Sequence, residues 1–321
     1  MNQGRKLFAR IFRFAVFLAA LGWLYTQIGS SFSAHDLQPN PAPNAPPFLF
    51  GWVLLLLPLN ILLEAVKWHI LTSKFSKPRP VQTVKGVLVG NFYTLFTPNR
   101  IGDGLGRMHF LPANTKLSAT YAFLSGSIAQ SIATLSFGSL ALVFSGLWLT
   151  ENDAAWYQPL ALLQWPMFAL TLLMLLLYVE PGWIRMLRDS LPSTGWIGKH
   201  VATLQAYSRK EHALLLLLSI LRYGVFATQY YLILCWFGFT GDAFDAYARI
   251  AVIYVVTTLV PTVALAELGL RESMAVLMLP AAGISPEAAF SATFFLYLVN
   301  IAAPAGLGGL LFLQMKKLHN T

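Results

Sequence analysis

Long apolar runs constrain this chain more than any other feature, because a helix needs about 20 mostly apolar residues to cross a bilayer. Six runs reach that length, and most charged residues lie in the connections between them. A soluble amphipathic helix would instead alternate apolar and polar faces. The sequence therefore predicts an all-α integral membrane protein. The runs are residues 11–28, 48–70, 117–149, 160–179, 213–236 and 287–315.

Composition excludes a soluble globular enzyme. Charged residues make up 11% of the chain, against roughly 25% in an ordinary soluble domain. The net charge of +9 and a pI near 9.7 also occur in nucleic-acid-binding proteins. Here the basic residues cluster between apolar runs, as the positive-inside rule requires, so no nucleic acid is expected. The single cysteine, Cys235, excludes an intramolecular disulfide.

The distribution of lysine and arginine predicts the orientation of the chain. Four basic residues precede residue 14, five lie in 67–85 and five in 185–210, whereas 29–47, 150–159 and 237–248 have none. Because cytoplasmic connections carry the excess of Lys and Arg, both termini are expected in the cytoplasm and the chain in the cell (inner) membrane. The first run also fits a signal peptide, but we expect it to stay as an anchor.

Two further apolar runs are only about half as long as a membrane span. They are Gly86 to Phe96 and Ile250 to Val260, and each is followed by a proline, Pro98 or Pro261. Proline lacks a backbone donor and disfavours helix before it. A half-length run that stops at a proline is typical of a re-entrant segment in a transporter. The sequence thus predicts six spanning helices plus two re-entrant half-helix segments.

The two short segments match each other in opposite orientation. Each proline is followed by an acid and an arginine four residues apart, Asp103 with Arg107 and Glu267 with Arg271. The first segment must return to the cytoplasmic side and the second to the external side. We therefore expect an inverted repeat, with two independent kinked helices as the alternative. The chain is one polytopic domain, 1–321, with an anchor (11–28), repeat halves 48–149 and 213–315, and a linking span (160–179).

The arginines near the prolines are candidate ligands for an anionic headgroup, because guanidinium offers a planar, bidentate fork to phosphate. The alternative is structural: an acid four residues before an arginine is a favourable helical pair. Glu64 has the same ambiguity, since either Lys67 or Arg222 is a plausible partner. The expected substrate-binding residues are Arg100, Asp103, Arg107, Glu267, Arg271 and Glu272, and the expected helix breaks are Pro98, Gly102, Pro261 and Gly269.

Nothing in the sequence predicts catalysis. No serine or cysteine has an evident base partner, and no His, Asp and Glu spacing resembles a metal site. The glycines after Pro98 follow no strand and lack a P-loop lysine, so nucleotide binding is not expected. We expect no enzyme activity, no catalytic residue, no cofactor and no metal.

The motifs resemble the flippase-like family typified by the transmembrane region of lysylphosphatidylglycerol synthases. That resemblance implies a bundle with two re-entrant helices around a central cavity that binds or moves membrane lipids, with Arg107, Arg271 and Glu272 as its site residues. The chain departs from the family at 263–266, where relatives place glycines. No soluble aminoacyltransferase domain follows Lys317, so lipid aminoacylation is not expected. The residues that carry the likeness are Gly90, Asn91, Pro98, Gly102 and Arg107, then Pro261, Gly269, Leu270, Arg271 and Glu272.

The first functional hypothesis is a flippase-like transporter that binds a membrane phospholipid or other anionic lipid between its re-entrant segments. The alternative is a non-transporting membrane scaffold or regulator of a lipid-modifying enzyme. The lipid, the direction and energy coupling of transport, transport competence without the glycines, and assembly into a homo-oligomer stay open at this stage.

Overall fold

The computed structural model describes residues 45–97, 101–149, 153–180, 182, 207–260 and 264–318, and every regular element in them is helical. The expected anchor at 11–28, together with Pro98, Arg100 and Pro261, lies outside the described residues. The α-helices are α1 (Phe48–Thr72), α2 (Pro80–Thr94), α3 (Ile101–Arg107), α4 (Lys116–Val143), α5 (Ala154–Ala161), α6 (Gln164–Val179), α7 (Arg209–Trp236), α8 (Ala243–Leu259), α9 (Ala264–Met278), α10 (Pro286–Tyr297) and α11 (Ala303–Leu318).

Four helical segments are long and apolar enough to cross a membrane. They are Phe48–Thr72, Ala113–Val143, Arg209–Trp236 and Pro286–Gln314, the last formed by α10 and α11 joined through a π-helical turn at Leu298–Ala302. These four coincide with four of the six runs expected from the sequence. Helix α6 has 16 residues, which is shorter than a usual span.

The outer faces of these helices are apolar. A surface of this kind faces hydrocarbon, because soluble proteins rarely expose contiguous apolar patches larger than a few hundred Å². The protein is therefore an integral membrane protein. Exposed examples are Leu54, Leu55 and Leu62 on α1, Leu172 and Leu173 on α6, Leu217 and Leu221 on α7, and Leu310 and Leu313 on α11.

Several helices begin where their sequence provides a cap. Ser208 accepts a hydrogen bond from the Glu211 backbone N–H, and the Glu211 side chain accepts one from the Ser208 backbone N–H, a capping box at the start of α7. At the start of α8, the Asp242 side chain caps the helix by accepting a hydrogen bond from the Asp245 backbone N–H. Helix α2 begins with Pro80 at its first position, where a missing N–H costs nothing.

These caps also explain why the two short segments are longer than the apolar runs suggested. Helix α2 has 15 residues and α8 has 17, because polar first turns precede the apolar residues of each. Helix α2 ends at Thr94 and α3 begins at Ile101, while α8 ends at Leu259 and α9 begins at Ala264. In the sequence, Pro98 and Pro261 lie between these helices. Helix α2 packs against α3, and α8 packs against α9, so each segment is a helical hairpin.

Helices of the two expected repeat halves pack against each other in matching pairs. Helix α1, the first of one half, packs along α7, the first of the other. Helix α2 packs along α11, the last helix of the second half, while α8 packs along α4, the last helix of the first. Glycines allow both close approaches: a Cβ on Gly308 would lie 1.9 Å from the Leu88 carbonyl oxygen, and one on Gly138 would lie 1.9 Å from Val255 Cγ2.

Candidate functional site

A buried carboxylate on α1 lies at the centre of a cluster of five charged residues. Glu64 contacts Arg107 (Nη1 to Oε1, 2.6 Å), Arg222 (Nη1 to Oε2, 2.9 Å) and Lys67 (Nζ to Oε2, 3.1 Å). The sequence left Lys67 and Arg222 as alternative partners of Glu64, and the structure brings both to it. We call Glu64, Lys67, Asp103, Arg107 and Arg222 the Glu64 cluster.

Arg107 is held on every side within this cluster. Its Nε and Nη2 donate to the two carboxylate oxygens of Asp103 at 2.6 and 2.5 Å, a bidentate pair at the expected i, i+4 spacing. The guanidinium also lies over the rings of Trp68 and Phe123, 5.6 and 5.5 Å from their centroids. With two carboxylates and two aromatic rings around it, this arginine is well compensated inside the membrane protein.

Uncharged polar groups connect the cluster across the two halves. Lys67 donates to Ser219 Oγ at 3.1 Å, and Arg222 Nε donates to Asn60 Oδ1 at 2.7 Å. Asn60 in turn lies 3.4 Å from the side chain of Asn300 in the last span. Three cations in the cluster face two carboxylates, so one positive charge is in excess, and amide and hydroxyl groups surround it.

A glycine shapes the hairpin that carries Arg107. Gly102 donates its backbone N–H to Thr97 Oγ1 at 2.8 Å. A Cβ at this position would lie 2.5 Å from the Tyr93 carbonyl oxygen, so any other residue would push α3 away from the end of α2. Gly102 therefore permits this close approach, but it is the second residue of α3, and Gly269 lies within α9, so the expectation that these two glycines break a helix is wrong. Gly269, by contrast, is exposed, and a Cβ at that position would have no atom within 4 Å.

The second hairpin holds its arginine less tightly. Arg271 Nη2 donates to Glu267 Oε1 at 2.5 Å, again at i, i+4 spacing, and the guanidinium lies 5.6 Å from the centroid of Tyr254. Arg271 is 8% exposed, and its Nε has no hydrogen-bond partner among the described residues. One oxygen of the neighbouring Glu272, Oε1, is also buried without such a partner.

The contacts described for Arg107 and for Arg271 share no residue. The expected convergence of Arg100, Arg107 and Arg271 on one ligand stays a prediction, and Arg100 lies outside the described residues. The two arginines differ in their partners: two carboxylates neutralise Arg107, whereas no group in the described ranges accepts from the buried Nε of Arg271.

Residues 10–308 match the model of the family described as the lysylphosphatidylglycerol synthase TM region. The chain belongs to this family. The match covers nearly the whole chain and confirms the resemblance drawn from the proline, glycine and arginine motifs. Family membership indicates a membrane protein of lipid metabolism or transport. A search of curated proteins gave no match.

This member of the lysylphosphatidylglycerol synthase TM-region family also has a buried ion pair that sequence reasoning missed. Arg249, fully buried at the start of α8, bonds Asp153 through Nη1 and Nη2 at 2.6 and 3.0 Å. Its Nε donates to Asp245 at 2.7 Å and its Nη1 to the Met278 carbonyl at 2.7 Å. The arginine thus fixes the start of α8 to the end of α9 and to the segment after α4.

The i, i+4 spacing of Asp245 and Arg249 indicates the contact between these two residues, whereas nothing local indicates Asp153, 96 residues away from Arg249.

Gln130 also contacts charged residues that are distant in the sequence. It belongs to a stripe of small and polar residues on α4, and it lies 3.4 Å from Arg222 Nη1 and 3.5 Å from Lys67 Nζ. Across the described ranges from 45 to 318, no group of three or more His, Cys, Asp or Glu side chains is arranged to hold a metal ion.

Proposed function

We propose that this protein binds and translocates a membrane phospholipid with an anionic headgroup, as a flippase-like transporter without catalytic activity. In this proposal the chain has six spans and two re-entrant hairpins arranged as an inverted repeat. It lies in the cell (inner) membrane with both termini in the cytoplasm. The lipid phosphate binds at Arg271, with Glu267 and Glu272 beside it.

The headgroup site is proposed because the buried Nε of Arg271 has no hydrogen-bond acceptor among the described residues. A buried guanidinium with one carboxylate partner, and with an Nε that no described residue accepts from, has hydrogen-bonding capacity left for a ligand. An ionised arginine in a membrane protein is costly unless it is paired, and such residues commonly mark substrate pathways. A phosphate that accepts from Nε would satisfy this donor.

Reciprocal packing supports the inverted repeat. A two-fold axis between the halves would produce each interhelical contact twice, and the α2–α11 and α8–α4 contacts form such a pair. The α1–α7 contact would then lie on the axis, where the Glu64 cluster joins the halves. Transporters of this design bind substrate at the repeat interface and expose it by rocking one half against the other.

The scaffold hypothesis has one observation in its favour. Arg107 is fully engaged by Asp103 and Glu64, as expected of a charge that only holds a hairpin in place. If Arg271 had the same role, the protein would bind no specific lipid. A test of Arg271 therefore separates the two functions.

The test is lipid retention by Arg271→Lys in the full-length protein. Lysine keeps the charge but loses the planar fork and Nε, so we expect the anionic lipid that co-purifies with the protein to fall about tenfold, the equivalent of one charge-assisted hydrogen bond. Lipids are quantified by mass spectrometry of the purified protein. Arg209→Lys is the matched control, because Arg209 is an exposed arginine paired with Glu180.

Wild-type retention by Arg271→Lys, with normal elution and melting temperature, would show that Arg271 does not bind a headgroup and would favour the scaffold. Translocation is measured separately, by chemical quenching of a fluorescent lipid in the outer leaflet of reconstituted vesicles. Quenching beyond the outer-leaflet fraction indicates flipping, and we expect Arg271→Lys to slow it.

A further inference from the structure

An apolar groove lies between α4, α7 and α8. It has a volume of about 390 Å³, within the range of roughly 300–1,000 Å³ that is typical of small-molecule sites. Phe137 and Leu140 on α4, Tyr223 and Thr228 on α7, and Phe244 and Tyr247 on α8 line it. Two of the three helices, α4 and α7, belong to candidate membrane spans.

None of the residues that line the groove is charged, and most are apolar. Two of the three hydroxyl groups that line it bond to each other, with Tyr247 donating to Thr228 at 3.4 Å. Phe137 stacks on Tyr223 with a centroid distance of 4.3 Å and forms one wall. Phe137 and Phe244 are 39% and 55% exposed, so the rim is apolar as well. A hydrocarbon chain fits this chemistry.

Gly224 keeps the groove open. This residue lines the groove on α7, and a Cβ placed on it would have no atom within 4 Å. Glycine is unfavourable inside a helix by about 1 kcal/mol relative to alanine. A larger residue at this position would occupy the space of the ligand without displacing another part of the protein.

Aromatic contacts connect the groove to the guanidinium of Arg271. Tyr223 packs edge-on against Tyr254 with a centroid distance of 6.0 Å. The guanidinium carbon of Arg271 lies 5.6 Å from the centroid of the Tyr254 ring. The groove and the cation are thus linked through the rings of Tyr223 and Tyr254. A phospholipid combines the same two features, an anionic phosphate and an apolar chain.

We propose that this groove binds one acyl chain of the phospholipid whose phosphate binds at Arg271. The inference rests on the proposed function, because Arg271 supplies the anionic end of the ligand. It adds a second element of recognition, in which the length and shape of the chain contribute to affinity alongside the headgroup.

The experiment uses a phosphatidylglycerol with a photoactivatable diazirine at the end of one acyl chain, incorporated in vesicles with the full-length protein. Labelled residues are mapped by mass spectrometry of peptides. We expect labelling of groove residues such as Phe137 and Phe244, and a reduction of about tenfold in Gly224→Leu, since several buried methylene groups lose their site. Gly306→Leu is the matched control, because Gly306 is an exposed glycine on α11 with the same open surroundings.

Groove labelling in Gly224→Leu within about twofold of wild type, a difference of less than half a kcal/mol, would overturn the proposal. Labels spread evenly over exposed leucines of α1 and α6 would also overturn it. So would a change from dimer to monomer in Gly224→Leu with unchanged lipid labelling, because the groove would then be an interface between copies. Thr228→Phe fills the same groove one turn along α7 and provides a second variant should Gly224→Leu fail to fold.

The proposed headgroup site and the proposed acyl-chain groove can be tested separately. A phosphatidylcholine with the same photoactivatable chain serves as the neutral comparison. Equal labelling by both lipids, lost in Gly224→Leu but unaffected by Arg271→Lys, would support the groove and contradict the anionic headgroup. Lipid retention that depends on Arg271, with labelling indifferent to Gly224, would support the headgroup and overturn the groove.

Discussion

Glu64 contacts three cations, so the Glu64 cluster depends on it more than on any other side chain. In Glu64→Gln, Lys67, Arg107 and Arg222 would stay close together with Asp103 as the remaining carboxylate. Removing one partner of a buried ion pair typically costs about 3–5 kcal/mol, because an uncompensated charge stays buried. We expect a large fall in the melting temperature of the purified protein in detergent.

A second substitution makes this prediction specific to charge. Lys67 is buried against Glu64, so Glu64→Gln/Lys67→Gln removes one charge of each sign and restores the original excess of one cation. The double variant should melt above Glu64→Gln alone. Glu180→Gln is the control, since its pair with Arg209 is exposed and such pairs contribute about 0–1 kcal/mol. A double variant less stable than Glu64→Gln would mean that packing, not charge, dominates.

Residue spacing predicted the local pairs of the site but not the distant ones. Asp103 with Arg107 and Glu267 with Arg271 are four apart on one helix, where geometry is fixed by the helical repeat. The contact between Glu64 and Arg107 joins residues 43 apart, and its formation depends on how α3 folds back onto α1. Such contacts follow from packing, about which spacing says nothing.

At the level of helices, Gly138 and Gly308 set how closely α4 approaches α8 and how closely α11 approaches α2. Gly308→Ala would place a Cβ against the backbone of α2, where the carbonyl of Leu88 cannot move without shifting the helix. Overpacking of this kind typically costs about 1–3 kcal/mol. Gly306→Ala, two residues away on the same helix with open surroundings, should raise stability slightly through helix propensity. Melting temperatures of both variants in detergent test this, and equal values would contradict it.

Helix positions were predictable where apolar runs are long, and less so where polar residues begin a helix. Helix α1 matches its run closely, since nothing but apolar residues surrounds its start. Helices α2 and α8 begin several residues before their runs, because Pro80 and Asp242 provide the first turn. Hydropathy detects burial in lipid, whereas helix ends depend on local hydrogen bonds.

For the whole molecule, the inverted repeat predicts on which side of the membrane each connection lies. If α2–α3 is re-entrant, the loops on either side of it share the cytoplasmic face, and the loops on either side of α8–α9 share the external face. If the two helices of each segment instead formed one kinked span, each pair of loops would lie on opposite faces. Lys77 and Asn114 are exposed positions in the first pair, and Thr240 and Glu287 in the second.

Single cysteines introduced at these four positions distinguish the two topologies. Cys235 is the only native cysteine, so Cys235→Ser gives a background without thiols. A membrane-impermeant maleimide added to intact cells should label Thr240→Cys and Glu287→Cys, whereas Lys77→Cys and Asn114→Cys should react only after the membrane is opened. Reaction of Asn114→Cys from outside, with Lys77→Cys protected, would mean that α2 and α3 together cross the bilayer once, as a single kinked span. The halves would then share one orientation, and the rocking mechanism would lose its structural basis.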